Sequence, residues 1–188
     1  MPANALPRND DANALDDLLQ RVARDARDRC VAAGIPLEHL AEYVPPTRRL
    51  FGMRPARFAS IGRGWRLGVV VIDEHGQLWR AGATLRAHEP PPHKGYTAES
   101  ARARDEMRHA AIRGGYAEGT VVHYDCREIT AASLQQASAA GDASPADGDQ
   151  PVVLRGQAIY VRWSAHCAIE NAVPLEQYLA ERLELIGA

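Results

Sequence analysis

Lysine is almost missing from this chain: Lys94 stands alone against 21 arginines. Cysteine is nearly as scarce. Cys30, Cys126 and Cys167 are odd in number and form no CxxC pair, which argues against a disulfide framework or a zinc ribbon and for a reducing compartment. No stretch approaches the ~18 consecutive apolar residues of a membrane span. The N-terminus, Met1–Asp11, shows neither the basic start nor the apolar run of a signal peptide. Together these absences predict a cytoplasmic protein without membrane contact. GxxxxGK[ST], GxSxG and SxxK are absent as well, so no P-loop or serine-nucleophile motif can be read. The glycines of Gly62-Arg63-Gly64-Trp65-Arg66-Leu67-Gly68 have the spacing GxGxxxG and open a strand. A dinucleotide fingerprint closes a strand and opens a helix, so that helix N–H groups meet the phosphate.

What is present is ordinary in bulk and segregated in charge. The 188 residues are 46% hydrophobic and 24% charged, enough for one domain with its own core. The 33 alanines beside 21 arginines match the codon usage of a GC-rich genome, so arginine content by itself carries no functional weight. Its clustering does. Val44 to Ile72 holds six arginines and no acid, within a chain of net charge −2. Arg48, Arg49, Arg54, Arg57, Arg63 and Arg66 are the candidate ligand-binding residues, with Phe51, Phe58 and Trp65 between them. Guanidinium forks match phosphate and carboxylate geometry, and a positive face is placed next to something anionic. The competing reading pairs these arginines with the acids of Met1–Tyr43, which carries eight acids against five arginines. The three aromatics read as core rather than as stacking platforms.

The pattern along the chain predicts an α+β fold with a mostly antiparallel sheet of about four or five strands covered by helices. Leu15, Leu18, Leu19, Val22, Ala26 and Cys30 form one helical stripe, ended by Gly34 and Pro36. A short helix is expected at Leu37–Tyr43. Trp65–Ile72 and Gln77–Arg86 read as strands joined by Asp73-Glu74-His75-Gly76. Thr97 is expected to cap a helix running to about Arg113, followed by a strand from Thr120. Thr130–Gln150, with Leu134 its one large aliphatic, reads as a flexible loop or linker within a single domain of residues 1–188. Val152–Trp163 alternates like a strand. Pro174 opens a terminal helix bearing Leu175, Tyr178, Leu179, Leu183 and Ile186. Trp65, Val69, Val71, Ile159, Val161 and Trp163 are expected to share one core face.

Candidate chemistry is thin. His123 with Cys126, and His166 with Cys167, sit at strand spacings that send the two side chains to opposite faces, which argues against zinc. His88, Glu89 and His93 flank a triple-proline loop. Cys167 with His123 or His109 is a conceivable thiol–imidazole pair that no spacing supports. Asp105 and Glu106 sit among Arg102, Arg104 and Arg108 at salt-bridging intervals, as on a solvated helix face. No metal and no cofactor is expected. The sequence therefore favours a non-enzymatic binding or assembly module whose basic surface, Val44–Arg66, engages an anionic small molecule or a protein partner. The pI of about 6.4 disfavours nucleic acid, and a homo-oligomer is compatible with the chain. The alternative is a small enzyme with a sheet-end pocket using Arg63, Arg66, Arg86, His123 and Cys126.

Overall fold

The computed structural model describes residues 9–49, 52–89, 98–140, 150–164 and 168–187. It is an α+β protein whose described residues form four α-helices: α1 (Asn9–Ala32), α2 (Glu99–Arg113), α3 (Ala131–Ala140) and α4 (Leu175–Ile186). The strands in chain order are β1 (Glu38–Val44), β2 (Thr47–Arg49), β3 (Gly52–Arg54), β4 (Arg57–Leu67), β5 (Val70–Asp73) and β6 (Leu78–Arg80). They continue with β7 (Ala83–Arg86), β8 (Val121–Tyr124), β9 (Arg127–Glu128), β10 (Val152–Arg155), β11 (Ala158–Val161) and β12 (Val173–Pro174). The chain divides into two compact units, each assembled from separate stretches: Met1–Pro36, Trp65–Arg80 and Arg127–Ala188 in the first, Leu37–Gly64 and Ala81–Cys126 in the second.

The second unit carries the strand order β7-β8-β1-β4. β1 pairs antiparallel with β4 and parallel with β8, and β7 pairs antiparallel with β8. The first unit carries β5-β6-β9, and β4 enters both, so the hydrogen-bonded series counts seven strands. The sheet is thus larger than the four or five strands expected, and mixed. The cause is β1. Glu38–Val44 is a strand where a short helix is expected: seven residues between prolines are too few for a self-supporting helix, and both Leu40 and the adjacent Ala41 are buried, which suits a strand covered on two faces.

One core of the second unit gathers Ala41, Phe58, Ala110, Ala111, Tyr116 and Val122. Phe58 packs tilted against Tyr43 and Tyr124, with ring centroids 5.4 and 5.1 Å away. The small residues of α2 let the helix approach closely. Gly114 follows it with an ordinary φ of −75°, so this glycine is not there for a left-handed turn. A Cβ at Gly114 would lie 2.2 Å from the Phe58 carbonyl oxygen. Thr97, the expected cap, lies outside the described residues, and the residue at the N-cap position is Ala98.

In the first unit, α1 buries Leu15, Leu19, Ala23, Ala26 and Cys30, and α4 buries Leu175, Tyr178, Leu179 and Leu183. The Asp73 carboxylate organises the β5–β6 turn, accepting from the amides of His75 and Gln77 at 2.9 and 2.8 Å and from Trp79 Nε1 at 3.0 Å. Trp65 is buried and donates from Nε1 to the Ile35 carbonyl. The expected single strand Trp65–Ile72 is broken at Gly68-Val69, which places half-buried Val69 in a turn. Val152–Trp163 is likewise two strands, β10 and β11, paired as a hairpin. Ile159 and Val161 are buried, but Trp163 lies beyond β11 and is 60% exposed, so it does not join the core.

The segment Thr130–Gln150 is only partly what its composition suggests. Its first half is the helix α3, with Ala131 and Leu134 buried. Alanine has the highest helix propensity, and the start is built reciprocally: the Ser133 amide donates to Thr130 Oγ1 at 3.1 Å and the Thr130 amide donates to Ser133 Oγ at 3.0 Å. The Asp16 carboxylate of α1 accepts from the Ala131 amide at 3.0 Å, a charge suited to a helix N-terminus. Residues 141–149 lie outside the described residues.

Candidate functional site

The basic segment begins as a hairpin. β2 and β3 form their own two-stranded sheet, with Thr47 opposite Arg54, Arg48 opposite Met53 and Arg49 opposite Gly52. Side chains alternate along each strand, so Arg48 shares a face of this ribbon with Met53, and Arg54 shares the other with Thr47. Arg48 and Arg54 are exposed, and Met53 is 74% exposed. Among the described residues, Arg48 and Arg54 have no ion-pair partner.

The other candidates are placed differently. The backbone of Arg49 lies in β2. Arg57 opens β4, is half-buried, and holds its Nε in a buried position with no hydrogen-bond partner among the described residues. Arg63 is exposed on β4 opposite His39 and is engaged in an interaction of its own. Arg66 belongs to the first unit, where its Nε donates to the Gly68 carbonyl at 3.1 Å. That bond braces the turn after β4. A groove of about 350 Å³ in the first unit is lined by Arg21, Asp25, Arg29 and Glu176 with apolar neighbours. It carries both signs of charge and none of the six candidates.

A second constellation spans β7, β8 and β1. The edge strand β7 sets Thr84 directly opposite His123 of β8, and β1 sets Leu40 opposite His123 on the other side. Glu38, two residues before Leu40, therefore rises on the same sheet face. Thr84 Oγ1 lies 2.8 Å from His123 Nδ1, and His123 Nε2 lies 2.6 Å from Glu38 Oε2. His123 is 2% exposed, the Glu38 side chain 39%, and Thr84 is open to solvent. Arg86 is two positions along β7, on the face of Thr84, and donates to the Gly119 carbonyl at 3.2 Å. Sequence reasoning named His123 and Arg86 but missed Thr84 and Glu38. Glu38 stood in an expected helix, and Thr84 belongs to no motif.

A third group is exposed. Glu118 accepts from His88 Nδ1 and from the Glu89 amide, and these two hydrogen bonds, the first the larger, hold its carboxyl below the usual glutamate range. His109 sits between Glu89 at 3.6 Å and Arg113, which donates to its Nδ1 at 3.0 Å and also pairs with Glu106. Arg108 pairs with Asp105 at the expected i, i+3 spacing.

Cys126 is half-buried with its Sγ 3.9 Å from the Tyr124 carbonyl, while Cys30 is buried, and burial pushes its thiol up. Cys167, His166 and His93 lie outside the described residues. Among the described residues, no three His, Cys, Asp or Glu side chains gather as a metal would require, and no helix is long and apolar enough to cross a membrane. Compared with family models, curated proteins and solved structures, the chain matches none.

Proposed function

We propose that the protein is a non-enzymatic binding or assembly module, and that the hairpin β2–β3 offers the basic surface to an acidic protein partner. One observation carries the reading: Arg48 and Met53 are cross-strand neighbours on an exposed ribbon, with Arg54 on its reverse face. Arginine and methionine are enriched in protein contact surfaces relative to the rest of the exterior. A guanidinium beside a thioether offers a partner both a carboxylate fork and an adaptable apolar anchor. A two-stranded ribbon gains little stability of its own, so an exposed Met53 there adds nothing to the fold. The overall charge of −2 supports a local electrostatic contact with acidic protein and disfavours wrapping by a polyanionic nucleic acid. The reading needs no metal or cofactor and suits a cytoplasmic setting.

Poly-L-glutamate is the probe for this surface. It should raise the melting temperature of the wild type as a native-state ligand, stabilising the native state by about 2.7 kcal/mol at a hundredfold excess over Kd. Arg48→Gln with Arg54→Gln should abolish most of that response while keeping the starting melting temperature. Sulfate serves as the control, since it stabilises proteins by exclusion regardless of site. Equal poly-L-glutamate responses in wild type and double variant would overturn the reading.

A further inference from the structure

We propose that the face shared by α1 and α4 is a self-association surface, and that a second copy of this chain covers it. The inference stands on the first unit alone and is independent of the basic hairpin. α1 packs against α4, and the groove of about 350 Å³ between them has the buried Ala26, Leu179 and Leu183 as its floor. A second groove of about 160 Å³ continues it, sharing Val22 and Glu176 and adding Leu18. Leu18, Val22 and Ala26 follow one another at i, i+4 spacing, so the apolar strip runs along α1 rather than across it. Leu18 and Val22 are only half-buried by the fold. Ile186, 43% exposed, extends the row of Leu179 and Leu183 to the end of α4.

The rim says what covers this strip. It carries two arginines, Arg21 and Arg29, and two acids, Asp25 and Glu176. Arg21, Asp25 and Arg29 stand four residues apart on one helix, yet neither they nor Glu176 close an ion pair among the described residues. A partner of one charge sign would match half of this rim and be repelled by the other half. A second copy of the same rim matches all of it, because a two-fold interface sets residue i against j and j against i. The arginines of one copy then face Asp25 and Glu176 of the other, and the apolar strips meet between them. Such an arrangement, an apolar centre within a polar rim, is that of protein–protein interfaces in general.

The size is sufficient for association without being large. α1 and α4 have 24 and 12 residues, so they are about 36 and 18 Å long and about 10 Å across. Their shared face then offers on the order of 500 Å² per copy, or about 1,000 Å² for the pair, which is the lower bound of a specific interface. A reversible dimer with a Kd on the order of micromolar follows.

Sedimentation velocity of the full chain from about 1 to 100 μM brackets that Kd. The wild type should pass from the 20.5 kDa chain to a species of twice that mass, and raising the salt from about 0.05 to 0.5 M should weaken the dimer several-fold. Two variants, Arg21→Glu with Arg29→Glu and Asp25→Arg with Glu176→Arg, each make the rim a single sign. With unchanged circular dichroism, each should raise the dimer Kd by about 100-fold or more, since like charges then face each other. Mixing the two should restore a dimer containing one of each. A wild type that stays monomeric throughout the range overturns the proposal whether or not the variants fold. So does a dimer that both folded variants retain at the wild-type Kd, or a failure of the two monomeric variants to associate when mixed.

Discussion

Tyr178 of α4 closes the turn that carries Val69: its phenolic oxygen accepts from the Val69 amide at 3.0 Å and donates to the Leu67 carbonyl at 3.2 Å. Gly68 lies between, at a φ of +68°, and a Cβ there would stand 2.3 Å from the Tyr178 hydroxyl oxygen. Tyr178→Phe should therefore cost about 1–3 kcal/mol, because it removes both bonds and adds nothing. Gly68→Ala should cost more than Tyr178→Phe, through positive φ and collision together. Chemical denaturation of the two variants measures both.

The helix α3 supplies the second test. Leu134 is fully buried at 0% exposure, so Leu134→Ala should destabilise the protein by about 2–5 kcal/mol. Asp16→Ala should cost about 0.5–2 kcal/mol, as loss of an N-terminal cap does. Replacing 131–140 with a Gly/Ser linker should lower the melting temperature markedly. A neutral outcome would return the segment to the linker its composition suggests.

Elements with one long stripe were legible in the sequence, and elements whose stability lies elsewhere were not. Leu15 to Cys30 on α1 and Leu175 to Leu183 on α4 repeat at helical spacing against a polar background, so periodicity alone finds them. Alanine-rich α3 offers one large side chain, and the Thr130–Ser133 and Asp16–Ala131 hydrogen bonds that start it depend on a capping pair and on a residue of another helix. β1 hid for a related reason: buried Leu40 and Ala41 are adjacent, so neither period appears. The candidate site shares that fate. Thr84 lies 39 positions before His123 and Glu38 lies 85 before it, and only the strand order β7-β8-β1 brings the three together. The hairpin arginines were legible as a charge cluster. Their separation into exposed Arg48 and Arg54 and turn-bracing Arg66 depends on tertiary structure.

Glu118 gives a pH prediction with a definite sign. Its folded pKa is depressed by the His88 hydrogen bond first and the Glu89 amide second. Its contribution to stability is present above the ordinary glutamate value and is lost as pH falls through the lower folded value. The side chain is exposed, so the effect is a local titration. NMR titration should place its midpoint below 4.5, the unperturbed value, and His88→Ala should move that midpoint back up.

Val161 is fully buried in β11 and faces Val152 across the hairpin. Val161→Asp should prevent folding or cost more than about 3 kcal/mol, since it buries an unpaired charge. Trp163→Ser, by contrast, should lie within about 0.5 kcal/mol of the wild type, because the ring is largely solvent-exposed. Thermal denaturation of the pair checks the two ends of this strand.

The central claim is that the β2–β3 hairpin is the contact surface, and backbone NMR mapping tests it most directly. Titration of ¹⁵N-labelled protein with poly-L-glutamate should shift the amides of Thr47, Arg48, Met53 and Arg54 in a saturable way, and those shifts should vanish in Arg48→Gln with Arg54→Gln. Saturable shifts that bypass the hairpin, or shifts that persist unchanged in the double variant, would contradict the account.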